Sequence, residues 1–251
     1  MIPLSDDNPT LRTPVVTIGL LVVIAAVWIF VQGAGFDASL LATSVCNLGL
    51  VAGEITRSAP IGTSVPIGEG MACVVDAEPI NYITPLTSMF LHGSWAHVLG
   101  NGLFLWIFGN NVEDSMGRGR FLAFYLICGL AAAAAQVLAN PSSAVPMVGA
   151  SGAISGVMAA YLVLFPKARV NMLFFFVVFV RVVALPAWVV LVYWFAIQLI
   201  TALPALSGAQ ATVESNVAVM AHIGGFVAGA LLVKLFENPE LIGPKLQRYP
   251  G

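Results

Sequence analysis

The chain has 251 residues, of which 59% are hydrophobic and 9% charged, with a formal net charge of -2. Soluble domains carry about 25% charged residues, so this chain has too few to coat a water-facing surface, and its mean hydropathy is +0.94. A disordered chain and an ordinary cytosolic enzyme are thereby excluded, and so is a nucleic-acid partner, because the ten Lys and Arg are outnumbered by twelve Asp and Glu where counterion displacement needs clustered cations.

What remains is a multi-pass protein of the lipid bilayer, expected as an all-α bundle of six transmembrane helices spanning residues 15–236. Residues 1–14 and 237–251 read as cytoplasmic tails. The first span is Val15–Val31. Its apolar run is longer than that of a signal peptide, and few charges precede it. An external loop of about residues 32–85 follows and contains Cys46 and Cys73. An oxidising exterior allows them to pair; spacing alone does not separate a bridge from two free thiols.

A short amphipathic piece, Leu86–Leu91, leads to a second span from about Trp95 to Phe108. The third runs Phe121–Leu138 and holds Cys128 as a packing residue. The fourth runs Ser151–Phe165 and stops at Pro166 and Lys167. At fifteen residues it is about 22 Å long, so its N-terminus should lie below the outer surface, with Asn140–Val148 dipping in to reach it. The run Met172–Val180 is too short to span and reads as an interfacial or protein-covered connector. The fifth span is about Ala184–Leu203, with Pro186 in its first turn, and the sixth is Val217–Phe236.

Lys and Arg set the orientation. With both termini in the cytoplasm, nine of the ten fall inside and only Arg57 outside; the expected location is the plasma (inner) membrane. Neither internal repeats nor a His-Glu-x-x-His run is present, which removes the usual signatures of transporters and zinc proteases. No metal or cofactor is expected.

Ionisable groups inside spans are costly and mark functional sites by default. All three histidines, His92, His97 and His222, lie in or beside spans. Asn101 follows His97 by four residues and shares its helix face. Ser151 opens the fourth span. Counting ~1.5 Å per residue from the inner charges places Asn101 and His222 about 18 Å up and Ser151 about 24 Å up, all in the outer half of a ~30 Å core. Irregular backbone at that depth needs protein cover or water, so a wet cavity open to the outside is expected. Gly152 and Gly156 follow Ser151, and Gly225 and Gly229 follow His222. Small residues at this spacing let helices approach closely, and packing the two faces together would bring Ser151 to His222.

A serine hydroxyl needs a base to become a nucleophile. His222 is the one base available on a facing helix, and no carboxylate lies in either span, so the pair reads as a dyad. The oxyanion needs donors. The Ser151 amide at a helix N-terminus, His97 and Asn101 can supply them.

Together these residues resemble the rhomboid family of intramembrane serine proteases. The resemblance rests on Gly149-Ala150-Ser151-Gly152, on His97-x-x-x-Asn101, on Ala221-His222-x-x-Gly225-x-x-x-Gly229, and on Gly109–Asp114 followed by Gly117 and Arg120. It covers about Pro85 to Phe236. It implies hydrolysis of peptide bonds in or near transmembrane segments of other membrane proteins, with Ser151 as nucleophile and His222 as base. It also implies an oxyanion hole of His97, Asn101 and the Ser151 amide, a structural role for His92, and no cofactor. Two departures stand out. Ser155 occupies a position where many relatives place an aromatic against the catalytic histidine, and the external loop lacks the Trp-Arg pair of some relatives. A non-catalytic relative that binds or escorts membrane helices is the alternative. Trp188, Tyr193, Trp194 and Phe195 with the loop Pro204–Asn216 read either as a substrate gate and cap or as a lipid-facing aromatic belt. Glu113, Asp114 and Arg120 read as capping and ion-pair residues. The natural substrate and oligomeric state are not encoded in any motif.

Overall fold

The computed structural model describes residues 2–68, 70–176, 179–206 and 213–248. Glu69 and the centre of the expected cap, residues 207–212, lie outside the described residues. In chain order, β1 (Ile2–Asp6) precedes α1 (Val15–Ala26), which continues through a π turn, Val27–Val31. The segment between the first helix and residue 85 holds α2 (Ala38–Leu48), α3 (Ala52–Ile55) and a hairpin of β2 (Ser64–Gly68) and β3 (Met71–Val74). Then come α4 (Thr84–Thr87), α5 (Trp95–Phe104), a π turn Leu105–Gly109, α6 (Asn110–Met116) and α7 (Arg118–Ala139). The chain proceeds through α8 (Ser151–Leu164), β4 (Arg169–Phe176), β5 (Phe179–Pro186) and α9 (Ala187–Leu206) to α10 (Val213–Phe236) and α11 (Pro239–Arg248).

The centre of the bundle is α8. Every residue from Gly152 to Tyr161 is buried, as expected of a helix that is apolar or small all round. Around it pack α7 and α10, which also pack on each other. Phe108 meets Tyr161 edge-on with ring centroids 5.0 Å apart, and Tyr161 meets Phe165 at 5.4 Å. Outward, α9 and α10 carry bare apolar side chains: Ile200 is 65% exposed, Leu231 73% and Leu235 75%. Such surfaces belong against lipid. By length and composition alone, Arg118–Ala139 and Val219–Phe236 are long and apolar enough to cross a membrane; Val15–Val31, Ser151–Leu164 and Ala187–Leu203 are shorter apolar helices.

The largest difference from the sequence reading is the segment after α8. The connector expected at Met172–Val180 is, in its described residues, part of two paired strands: β4 pairs antiparallel with β5, from Arg169 opposite Pro186 to Phe176 opposite Phe179. Its Phe and Val residues prefer the extended backbone, and without period-2 alternation they give no strand signal in the sequence. Pro186 consequently closes β5, and the following helix starts at Ala187 rather than Ala184. The tails also differ from free tails. Ile2–Asp6 pairs with Leu173–Val170 as the third strand of that sheet, and α11 docks on α6.

A charged cluster ties these pieces together. Glu113 accepts from the Val16 and Thr17 amides at 2.9 and 2.7 Å and from the Thr17 hydroxyl at 2.8 Å, and so caps α1. Asp114 accepts from Lys245 Nζ at 3.0 Å and from the Leu11 amide at 2.8 Å, and Arg12 reaches it at 3.4 Å. Lys245 also donates to Asn111 and stands over the Phe165 ring, 5.1 Å from its centroid. Asp6 accepts from the Tyr161 hydroxyl and from Asn111 Nδ2. Arg120 donates to the Glu237 carbonyl at 3.0 Å.

Candidate active site

Ser151 is the first residue of α8, and among the described residues no side chain caps the start of that helix. The amides of its first turn are therefore free of side-chain acceptors, and the helix dipole adds positive potential there. The incoming loop is irregular, but its backbone is paired with neighbouring segments. Met147 exchanges two backbone hydrogen bonds with Leu50, at 3.0 and 2.8 Å, and the Gly149 amide donates to the Ser88 carbonyl at 2.9 Å. Thr56 and Gly53 hold the Pro141 and Ser143 carbonyls at 2.6 and 2.8 Å. Irregular backbone within a bundle needs such partners.

Ser151 Oγ lies 2.8 Å from His222 Nε2 on α10. The glycines of the two helices make this approach possible. A Cβ on Gly225 would stand 1.9 Å from the Gly152 carbonyl oxygen, and one on Gly229 would stand 2.2 Å from that of Gly156. Backbone therefore packs directly on backbone. On the other side of α8, a Cβ on Gly152 would be 2.6 Å from Ala132 Cβ, and one on Gly156 would be 2.5 Å from Cys128 Cβ. Cys128 thus fills the space between α7 and α8.

His97 lies beside Ser151 across Gly149. That glycine has φ +129°, and a Cβ there would sit 2.7 Å from His97 Nε2 and 3.5 Å from Ser151 Oγ. Any side chain would push the imidazole away from the serine, and the backbone angle itself selects glycine. The Gly93 amide donates to His97 Nδ1 at 3.4 Å. With Nδ1 accepting, the neutral ring carries its proton on Nε2, the nitrogen facing Gly149. Asn101, one turn on, is buried and its Nδ2 has no hydrogen-bond partner among the described residues. His92 is fully buried, with its ring edge-on to His97 at 4.9 Å. A narrow cavity of about 20 Å³ adjoins the serine, lined by Ser151, Gly149, Met147, Met89, Ala132 and Ala221 among others.

The sequence reading missed two amides. Gln198 on α9 places Oε1 2.9 Å from His222 Nδ1. Gln32, fully buried at the end of the first helix, donates to the His92 carbonyl and accepts from the His92 amide, both at 2.8 Å. The available signal for each was a lone amide inside an apolar run. Ser155 does not reach His222; its hydroxyl donates to the Ser151 carbonyl at 2.6 Å. The aromatic beside His222 is Trp194 of α9, with ring centroids 5.7 Å apart. The expected gate set is split: Trp194 and Phe195 pack on Phe226 of α10, while Trp188 and Tyr193 are each 51% exposed. Cys46 and Cys73 are joined by a disulfide, with their Cα atoms 5.2 Å apart.

A family model described as the Rhomboid domain matches residues 80–238. That is more than half of the chain and includes Ser151, His222, His97, Asn101, His92 and Gln198. The chain belongs to the rhomboid family. Rhomboids are membrane-embedded. Over 77 residues it is 43% identical to Rhomboid protease GluP of Bacillus subtilis (strain 168), a stretch covering 31% of this chain and 15% of that protein. Over 74 residues it is 40% identical to Rhomboid-like protein 11, chloroplastic, of Arabidopsis thaliana, covering 30% of this chain and 26% of that protein. Putative rhomboid protease YdcA of Bacillus subtilis is 28% identical over 161 residues, covering 63% of this chain and 68% of that protein. The chain thus spans well under a third of the first two relatives. The disulfide, β1 and α1 all precede the matched rhomboid domain.

Proposed function

We propose that this rhomboid is an intramembrane serine endopeptidase that cuts other membrane proteins in or near their transmembrane segments. The observation that carries the reading is the 2.8 Å contact between Ser151 Oγ and His222 Nε2. In this scheme Ser151 Oγ attacks the scissile carbonyl carbon while its proton passes to His222 Nε2. The oxyanion that forms is met by the Ser151 amide, the Asn101 Nδ2–H and the His97 Nε2–H. Collapse expels the amine, which takes the proton from His222. Water, activated by the same imidazole, then releases the acyl group from Ser151.

Three further observations support it. Asn101 Nδ2 is buried and unpaired, a cost of about 1–3 kcal/mol that a forming oxyanion would offset. The His97 tautomer leaves a donor on the serine side. The narrow cavity beside Ser151 has room for about one water-sized group. We further read the chain as six spans in the plasma membrane with both termini cytoplasmic, following the distribution of Lys and Arg. In that reading α5 with α6 makes the second span, and the disulfide faces the oxidising exterior.

The test is cleavage of a single-span substrate in proteoliposomes. The unaltered protein should produce two fragments, and Ser151→Ala none. Full activity of Ser151→Ala would overturn the proposal. A folded protein that neither cleaves nor reacts with a fluorophosphonate would instead be a binder of membrane helices.

A further inference from the structure

We propose that Gln198 is the positioning residue of the site: its Oε1 accepts the Nδ1–H of His222 and so fixes both the tautomer and the ring plane of the base. The inference rests on the proteolytic reading above and deepens it.

A neutral imidazole carries one proton on either nitrogen. Only the form protonated at Nδ1 leaves a lone pair at Nε2 for the Ser151 hydroxyl. An isolated Ser–His pair offers nothing to choose between the two forms. Where a base acts on a serine, a third group that orients it completes the arrangement. No carboxylate approaches His222 among the described residues, but Gln198 Oε1 lies 2.9 Å from Nδ1, on the opposite side of the ring from Ser151, which is 2.8 Å from Nε2. An amide oxygen is a pure acceptor. Placed there, it selects the Nδ1–H form without placing a charge within the membrane, where a carboxylate would be costly.

The imidazole has a second neighbour on α9. Trp194 is one turn before Gln198 on the same face of α9, and its ring lies 5.7 Å from the His222 ring. One turn beyond His222, Phe226 stacks on Phe195 at 4.2 Å with planes 15° apart. The α9–α10 seam thus clamps the imidazole by a ring on its side and an amide at its edge. This also answers the departure at Ser155. Its hydroxyl is spent on the Ser151 carbonyl, and the orienting groups come from α9 instead.

The experiment pairs a spectroscopic readout with kinetics. The chain has only three histidines, so 15N-histidine labelling gives three resolvable imidazoles, and loss of one set in His222→Phe assigns the third. In the unaltered protein in micelles, His222 should be protonated at Nδ1 and bare at Nε2. In Gln198→Met, which keeps the side-chain length but removes the acceptor oxygen, the signal should move to a mixture of tautomers. Cleavage by Gln198→Met should show kcat lowered about tenfold or more with KM changed less than about twofold, the pattern of a lost transition-state contribution. Gln198→Glu restores an acceptor oxygen and should recover the Nδ1–H form and part of kcat. A merely structural role would change stability and leave the His222 tautomer alone. Unchanged His222 shifts or unchanged kcat in Gln198→Met would overturn the positioning role while leaving the protease reading intact. A tautomer change in Gln198→Met, in a protein that never cleaves, would uphold the Gln198–His222 bond and overturn the protease reading.

Discussion

The bundle holds two buried polar clusters at opposite ends of α8, and they are built by different rules. Around Ser151 every partner is neutral: a hydroxyl, imidazoles and amides. Around Tyr161, ten residues or about 15 Å further along α8, the partners are ionic: Asp6, Arg12, Asp114 and Lys245. The ionic cluster is closed. Lys245 and Asp114 are 0% and 1% exposed in their side chains, each has several partners, and it joins the two chain ends to the helix core. The neutral cluster is left open, with a donor on Asn101 unpaired and a cavity beside the serine. A closed network stabilises; an open one is ready for a further partner. The difference predicts that the two ends separate experimentally, with chemistry lost at one and stability at the other.

The largest expected effect is on chemistry. Ser151→Ala should lower substrate cleavage by about 10⁴-fold or more, as removal of a nucleophile does, yet leave thermal unfolding in micelles nearly unchanged, because among the described residues the only side-chain hydrogen bond lost is the one to His222.

The reverse signature belongs to the other end. Lys245→Met breaks a buried ion pair, a change that costs about 3–5 kcal/mol, with Arg12 and the Leu11 amide left to moderate the loss at Asp114. Thermal unfolding should shift down, while fluorophosphonate labelling at low temperature remains. If labelling and stability fell together in every such variant, the two ends would not be separable.

The glycine seam lies between these cases. Gly225→Ala forces a Cβ to 1.9 Å from the Gly152 carbonyl and should cost about 1–3 kcal/mol or more, with activity falling as Ser151 and His222 part. Gly119→Ala, where a Cβ meets nothing within 4 Å, is the control and should be neutral or slightly stabilising.

The smallest effect is a pH response at the ionic end. Burial pushes the Asp6 carboxyl from 3.8 up to about 6, outweighing the Tyr161 hydroxyl and the Lys245 ammonium, which pull it down. The docked N-terminal strand therefore favours protonated Asp6. That contribution is complete below about pH 4 and is lost as the pH rises through about 6. Amide protection of Ile2–Asp6 should be greater at pH 5 than at pH 7.5, and Asp6→Asn should flatten the difference.

The neutral end was largely legible in the sequence because charge is so scarce there. Three histidines, one serine at a helix start and two glycine pairs stand out against apolar runs, and each has a local reason to be noticed. Gln198 was not legible, because nothing local distinguishes an amide that meets a histidine from one that meets lipid headgroups. The ionic end was barely legible. Lys245 reads as a solvated tail residue until α11 folds back and buries it, and its partners Asp114 and Asn111 are more than 130 positions away. The paired strands Arg169–Phe176 and Phe179–Pro186 were hidden for another reason: apolar residues stand at successive positions in the sequence, so the period that marks a strand is missing. Pairing with Ile2–Asp6, again a long-range contact, completes the sheet.

The central claim is that Ser151 is a nucleophile activated by His222. It is tested most directly by mapping the fluorophosphonate adduct by mass spectrometry on the intact protein in liposomes. The adduct should sit on Ser151 alone in the unaltered protein and be absent in His222→Ala. An adduct on another serine, or equal modification of Ser151 with and without His222, would contradict it.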